Sequence, residues 1–198
     1  MLYLNQRNFY DVPYNHNVDF GGAPEERRNV GTSGCGICCM SMVVNHLTGR
    51  DFPVDDCVRL AESCGANRYI GTSLRVLGPE AAEIFGLEMS TADDAESLIR
   101  HLGEGGEAVA HVGGDTQERA GLFSHKGHYV VVVSVSDDGK ACILDPSLEP
   151  GKFDEEGRKG KVEINEPFVY CSLDELMKDT RNHQPGFYLF IKKEEDET

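Results

Sequence analysis

The segment from Gly34 to Thr48 constrains the fold most, because it predicts a helix that is apolar on nearly every side. Such a helix cannot lie on a surface, so other elements must cover it from several directions. It begins at Gly34-Cys35-Gly36 and ends at Thr48-Gly49, where a glycine favours termination. The sequence therefore predicts a buried central helix with a cysteine in its first turn.

The position of Cys35 suits a reactive thiol. The first turn of a helix has unpaired backbone N–H groups and a partial positive charge. Both stabilise a thiolate relative to a thiol, and the thiolate is the nucleophilic form. Cys35 is therefore the candidate nucleophile, and nucleophilic thiol catalysis requires a histidine and a third, orienting group elsewhere in the chain.

The chain changes character near its midpoint, from helical patterns to strand patterns. Helices are predicted over residues 34–48, 54–64, 73–85 with a break at Gly78-Pro79, 91–102 and 172–181. Strands are predicted over residues 87–89, 108–112, 128–135, 141–144 and 186–192. Helices first and an antiparallel sheet second indicate an α+β fold. No linker divides the chain, so one domain over residues 1–198 is expected.

A hairpin in the second half supplies the other two candidate residues. His128 begins one strand, Asp145 ends the next, and Asp137-Asp138-Gly139-Lys140 is the turn signal between them. Antiparallel pairing about this turn places the imidazole beside the carboxylate, which would orient it and favour its protonated form. If the central helix packs on this sheet, Cys35 faces His128 and a Cys–His–Asp triad results. His125, in the preceding loop, is the alternative histidine.

These motifs together resemble the papain-like cysteine peptidases of the bacterial double-glycine (bacteriocin-processing) type and their stand-alone relatives. The resemblance implies a papain-like fold, with Cys35 as nucleophile, His128 as general base and then acid, and Asp145 as the orienting residue. It also implies a bacterial source and a peptide or protein substrate that contains glycine. The motifs are Val12-Pro13-Tyr14, Gly34-Cys35-Gly36, Leu47-Thr48-Gly49, Gly127-His128-Tyr129-Val130 and Asp145-Pro146-Ser147.

One departure from the family concerns the oxyanion. The family carries a glutamine after the Val-Pro-Tyr segment, whereas this chain has Asn17 there, or His16 if the alignment shifts by one residue. The Asn17 amide can donate the same hydrogen bond but is shorter by one methylene, and the backbone N–H of Cys35 would be the second donor. One oxyanion donor contributes about 3 kcal/mol to catalysis. A catalytically weak or inactive papain-like binding module is therefore the alternative function.

Other readings of the cysteine motif follow from Cys35-Gly36-Ile37-Cys38. Cys38 is the rival nucleophile, because in the papain pattern Cys-Gly-Ser-Cys the second cysteine acts. A thioredoxin-like redox site would need an apolar strand before the motif, and the preceding residues are polar. A zinc site would need a second closely spaced pair, which Cys57 and Cys64 do not form.

Composition limits the partners and the location. The net charge is −15, from 34 acidic and 19 basic residues, which disfavours nucleic acid and anionic membrane surfaces as partners. No apolar run reaches the roughly 20 residues of a membrane span, and no signal peptide is visible. Seven cysteines are an odd number for a disulfide framework, so we expect a cytoplasmic location unless a signal was removed. Thiol acyl transfer needs no metal or organic cofactor.

The polar loop 113–126 immediately before His128 is a candidate wall or lid of the cleft. Under this hypothesis, Leu122 and Phe123 would be its apolar contacts with a substrate. The alternative is a plain connecting loop.

Overall fold

The computed structural model describes residues 1–15, 28–68 and 71–193. After a 3₁₀ turn at Gln6–Asn8, the helices are α1 Val30–Ser33, α2 Cys35–Thr48, α3 Val54–Ser63, α4 Leu74–Phe85, α5 Ala95–Gly103 and α6 Leu173–Thr180. The strands are β1 Asn67–Arg68, β2 Gly71–Thr72, β3 Leu87–Ala92, β4 Glu107–Gly113, β5 Gly127–Val135, β6 Lys140–Leu144, β7 Val162–Asn165, β8 Phe168–Ser172 and β9 Phe187–Lys192. No helix in these ranges is both long and apolar enough to cross a membrane.

The architecture is a seven-stranded sheet with helices on both of its faces. The strand order is β3-β9-β4-β5-β6-β8-β7, and every neighbouring pair is antiparallel. Successive side chains of a strand point to opposite faces, so Val131 joins the core with α2, whereas Val130 and Val132 join a second core. The predicted α+β fold is confirmed, with α2 and α4 packed on one face of the sheet and α5 and α6 on the other.

The central helix is buried as its sequence predicts. Every α2 residue from Gly36 to Val44 is buried, between the sheet on one side and α3 and α4 on the other. Close packing excludes a side chain at Gly36, where an added Cβ would lie 2.8 Å from the Cβ of Thr72. Gly49 ends the helix in the left-handed conformation, with φ 69°. The tight packing fixes where the first turn of α2, and hence Cys35, meets the sheet.

Helix α4 differs from its prediction at one point. The expected break at Gly78-Pro79 is wrong, because α4 continues through both residues. Gly78 lets the helix approach the sheet so closely that an added Cβ would lie 2.6 Å from Met89 Sδ. Burial of Leu74 and Leu77 on the same face stabilises the helix, and this outweighs the backbone hydrogen bond that Pro79 cannot make.

Other differences lie at element ends and in the loops. The predicted helix over 91–102 begins later, at Ala95, since Thr91 and Ala92 extend strand β3 and Asp94 caps the helix. The hairpin of β7 and β8 was not predicted, because its residues are mostly polar or partly exposed and give no clear alternation. The short helix α1 also lies within a segment that the sequence suggested was a loop.

A buried carboxylate anchors the loop between β4 and β5. The oxygens of Asp179, on α6, accept backbone N–H groups of Gly113 at 3.0 Å, Leu122 at 2.6 Å and Phe123 at 3.2 Å. The Asp179 side chain is only 2% exposed, and Arg119 lies 3.6 Å from it. Leu122 and Phe123 are buried in the second core. Their side chains therefore hold the loop in place and do not face a substrate, contrary to the expectation above.

We predict that Asp179→Asn lowers the free energy of unfolding by about 2–4 kcal/mol, since the amide –NH₂ would face backbone donors and the Arg119 pair would be lost. Urea unfolding followed by circular dichroism measures this. Asp174→Asn is the matched control on the same helix, because Asp174 is exposed and pairs only with Lys178. Its effect should stay within about 0.5 kcal/mol. Equal effects of the two variants would contradict the anchoring role.

Candidate active site

The thiol of Cys35 lies where the first turn of α2 meets strand β5. The side chain is partly exposed, and it is hydrogen-bonded to His128. Backbone hydrogen bonds from Tyr129 and Gly36 also reach its sulfur. The thiol therefore has an imidazole and two backbone donors around it while one side stays open.

The imidazole of His128 is held between the thiol and a carboxylate. His128 is the second residue of β5 and is 6% exposed. Its Nε2 lies 2.8 Å from Oδ1 of Asp145, which leaves Nδ1 as the nitrogen available to Cys35. Strands β5 and β6 pair with Val131 opposite Leu144, so the residue after β6 lies beside the start of β5. The structure thus brings together Cys35, His128 and Asp145, as the hairpin register predicted.

The charges favour a thiolate–imidazolium pair. Burial by itself would raise the pKa of Cys35, but the hydrogen bond and charge of His128 and the backbone donors outweigh it and lower that pKa. Burial by itself would lower the pKa of His128, and its hydrogen bonds to Asp145 and Cys35 outweigh this and raise it. Both shifts favour transfer of the proton from the sulfur to the imidazole, which would leave the sulfur as the nucleophilic thiolate.

Asp145 is fully buried and fully hydrogen-bonded. Its Oδ1 accepts the backbone N–H of Ser147 at 2.9 Å in addition to His128, and Lys152 Nζ lies 2.5 Å from its Oδ2. Burial would raise the pKa of this carboxyl group, but the charge of Lys152 and the hydrogen bond to His128 lower it well below its usual range. Asp145 is therefore an ionised carboxylate that orients the imidazole.

The other cysteines lack these features. Of the seven cysteines, all within the described part of the chain, six have raised pKa values, and burial is the largest cause in each case. Cys38, the rival nucleophile, is fully buried in the core around α2. The geometry therefore favours Cys35 over Cys38.

The alternative histidine lies outside this cluster. His125 is more than half exposed, and its ring nitrogens contact Asp115 at 2.9 Å and Glu155 at 2.8 Å. These contacts occupy both nitrogens in surface ion pairs. The geometry therefore favours His128 as the partner of Cys35. Asn17 and His16, the two candidate oxyanion donors, lie outside the described residues.

A cleft of about 630 Å³ opens above the Cys35 thiol. One wall comes from the N-terminal segment and α1, including Tyr10, and the other comes from the β4 and β5 ends, including His111. Burial and the nearby His183 lower the pKa of His111 to about 3, so this wall carries a neutral imidazole. Gly127 lines the same wall, and an added Cβ there would lie 3.2 Å from His111 Nε2. Gly127 therefore packs closely against His111 within this wall.

Sequence reasoning missed Lys152 and the role of Ser147. Lys152 lies in the charged segment 149–163, whose composition is typical of a surface, yet its side chain is only 7% exposed. Nothing in the charge pattern distinguishes Lys152 from Lys159 or Lys161. The only local signal is the Asp145-Pro146-Ser147 turn, which brings the following residues back towards the strand end.

The fold is similar to that of solved peptidase structures. The peptidase domain of Streptococcus ComA, a bi-functional ABC transporter involved in a quorum sensing pathway, matches with a TM-score of 0.53 and 17% identity, over 80% of this chain and 91% of that domain. A Bacillus anthracis protein described as a C39-like peptidase matches with a TM-score of 0.58 and 13% identity, over 98% of this chain and 96% of that one. No family model and no curated protein matches the sequence.

The chain therefore has the fold of the C39 papain-like peptidase domains, which confirms the fold that the sequence motifs implied. At these identities, the likeness establishes the fold alone. The roles of individual residues rest on the geometry of Cys35, His128 and Asp145.

We predict that Cys35 reacts with iodoacetamide much faster than Cys64 near pH 6, about 2.5 units below the ordinary thiol pKa of roughly 8.5. Cys64 is an internal reference, because it is also partly exposed but has a raised pKa. His128→Ala should lower the labelling rate of Cys35 at least about tenfold, since the thiol loses its hydrogen bond and the nearby cation. Mass spectrometry of the labelled peptides measures both rates.

His125→Ala is the matched control for the histidine variant, because His125 makes only surface contacts. It should leave the rate at Cys35 unchanged. If Cys35 and Cys64 react equally fast in the wild-type protein, the thiolate–imidazolium pair does not exist.

Proposed function

We propose that this protein is a cysteine peptidase that cleaves a peptide or amide bond through a thioester on Cys35. The observation that carries the proposal is the single imidazole of His128, which is hydrogen-bonded to the Cys35 thiol and to the Asp145 carboxylate at the edge of an open cleft. The peptidase fold supports it independently. Nucleophilic thiol catalysis uses such an arrangement, which supports hydrolase activity as the proposal.

In the proposed reaction, the Cys35 thiolate attacks the carbonyl carbon of the scissile bond. The negative charge moves to the carbonyl oxygen, which the Cys35 backbone N–H and a side chain of segment 16–17 would stabilise. His128 then donates its proton to the departing amine as the C–N bond breaks. The products of this half-reaction are a free amine and a neutral thioester.

Water completes the proposed cycle. The neutral His128 takes a proton from a water molecule, and the resulting hydroxide adds to the thioester carbon. The C–S bond breaks, a carboxylic acid leaves, and the thiolate–imidazolium pair is restored. Asp145 keeps Nε2 of the ring engaged throughout, so that Nδ1 faces the reacting atoms.

Glycine-containing peptides are the proposed substrates, as the family resemblance suggests. The cleft lining includes Gly31, Gly71 and Gly127. Under this proposal, the part of the cleft beside the nucleophile would accept glycine and exclude large side chains at the scissile bond. An amine that replaced water in the second half-reaction would make the protein an amide-forming acyl transferase.

We predict that the wild-type protein cleaves members of a synthetic peptide library with glycine fixed at successive positions, and that Cys35→Ala abolishes cleavage. Mass spectrometry of the library before and after incubation detects the products. Cys64→Ala is the matched control and should keep full activity, because Cys64 lies away from the cleft lining. Reaction in ¹⁸O-labelled water should place one ¹⁸O in each new carboxyl group.

Other results would point to other functions. A second reaction would contain glycinamide as a competing amine. Products that carry glycinamide in place of ¹⁸O would indicate acyl transfer. If the wild-type protein retains library peptides without cleaving them, the fold serves as a binding module and the peptidase proposal fails.

A further inference from the structure

We propose that Lys152 is a positioning residue of the active site, which balances the charge of Asp145 and thereby sets the pH range over which the Cys35–His128 ion pair exists. This inference rests on the proposed function. It adds a fourth ionised group to the three that the sequence motifs identify.

Lys152 contacts the catalytic cluster at two atoms. Its Nζ lies 2.5 Å from Asp145 Oδ2 and 2.6 Å from Ser147 Oγ. The Ser147 hydroxyl in turn lies 3.1 Å from His128 Nε2 and 3.2 Å from Asp145 Oδ1. The ammonium, the hydroxyl, the carboxylate and the imidazole therefore form one closed hydrogen-bonded network.

The fold holds this lysine in place from both sides. Its neighbour Phe153 is buried in the second core. Arg158 Nη1 donates to the Lys152 carbonyl oxygen at 3.3 Å, and Arg158 Nε donates to the Gly121 carbonyl oxygen at 2.7 Å. The segment after Asp145 is thus tied to the core and to loop 113–126. An exposed lysine would lose several rotamers to reach a carboxylate, whereas this backbone already directs the side chain inward.

The charges of the cluster cancel only when Lys152 is counted. In the proposed resting state, the thiolate and the imidazolium cancel each other, and the negative charge of Asp145 is left over. Lys152 supplies the cation that balances it, so the resting cluster is neutral. In the thioester intermediate, the sulfur and the imidazole are both neutral, and the Asp145–Lys152 pair remains neutral. A buried site avoids an uncompensated charge at either stage.

The remaining titratable groups around the cluster are neutral or lie further out. Burial raises the pKa values of Tyr3, Tyr14, Tyr129, Cys38 and Cys39, and burial lowers that of His111. Among the described residues, two cations line the cleft, Arg7 and Lys126, and Arg7 is paired with Glu149. The charge of Glu166 contributes to the raised pKa of Tyr3. Besides the ring of His128, Lys152 is the cationic side chain that contacts Asp145 in the described part of the chain.

Removing the positive charge of Lys152 shifts the neighbouring pKa values in a definite direction. Loss of a fixed cation makes proton loss harder at every neighbouring group, so the pKa for thiolate formation rises and the pKa for imidazolium deprotonation rises too. A merely structural lysine would act differently. If Asp145 were displaced, His128 would lose its stabilising carboxylate, and the pKa of the imidazolium would fall. Loss of a charge-balancing lysine therefore raises the pKa of the imidazolium, whereas loss of a merely structural lysine lowers it.

The test is the pH profile of iodoacetamide labelling at Cys35, which has two inflections, one for ion-pair formation and one for loss of the imidazolium proton. Lys152→Gln keeps polar contacts with Asp145 and Ser147 but removes the charge. We expect both inflections to move upward by about 0.5–1.5 pH units. Lys152→Arg, which keeps the charge, should restore both inflections towards their wild-type positions.

Lys159→Met is the matched control, because it removes one positive charge from an exposed site in the same segment. Its profile should coincide with that of the wild-type protein. Unchanged inflections in Lys152→Gln, or an upper inflection that moves down, would overturn the inference while leaving the peptidase proposal intact. A wild-type profile without a His128-dependent lower inflection would instead overturn both.

If Lys152→Gln does not fold, a measurement on the wild-type protein tests the inference instead. Nuclear magnetic resonance of ¹⁵N-lysine-labelled protein reports hydrogen exchange at each ammonium group. The buried, doubly bonded ammonium of Lys152 should exchange at least about tenfold more slowly than that of Lys159. Equal exchange rates would show that Lys152 does not hold the carboxylate, and the inference would fail.

Discussion

The packing of α2 against strand β5 is the constraint on which the rest of the site depends. A helix that is buried on nearly every side has one position in the fold, and its first turn is fixed with it. That position sets the Cys35 sulfur against the imidazole of His128 and the backbone of Tyr129. A shift of either element by about 1 Å would break a hydrogen bond that lowers the pKa of the thiol. The environment of Cys35 is thus a consequence of core packing as much as of local chemistry.

The part of the site around Asp145 depends on how a buried negative charge is stabilised. Asp145 is fully buried, and an isolated carboxylate at such a place would be protonated. The chain keeps it ionised with His128 on one oxygen and Lys152 on the other. The same segment that carries Lys152 is tied by Arg158 to the loop before His128, and Asp179 anchors that loop. Buried polar groups on three elements therefore support one imidazole.

Much of this was predictable, because the signals were local. The helix from Cys35 to Thr48 follows from its continuous apolar pattern and its glycine ends, and the β5–β6 hairpin follows from its turn residues and β-branched strands. The hairpin places His128 beside Asp145 by register alone. The errors arose where long-range contacts overrode local signals. Helix α4 runs through Pro79 because the sheet buries its other face, and the β7–β8 hairpin forms because β8 pairs with the edge of β6 and buries Val169 and Cys171.

The sequence by itself determined which residue types were available for thiol chemistry and on which elements they lie, since periodicity and turn residues act over a few positions. Only the tertiary structure decided that Cys35, and not Cys38, meets the imidazole, and that Lys152, and not Lys159, meets the carboxylate. In each pair, the two residues are chemically alike and close in sequence. The two residues of each pair differ in burial and in the direction of the side chain, and both depend on the packing of elements far apart in the chain.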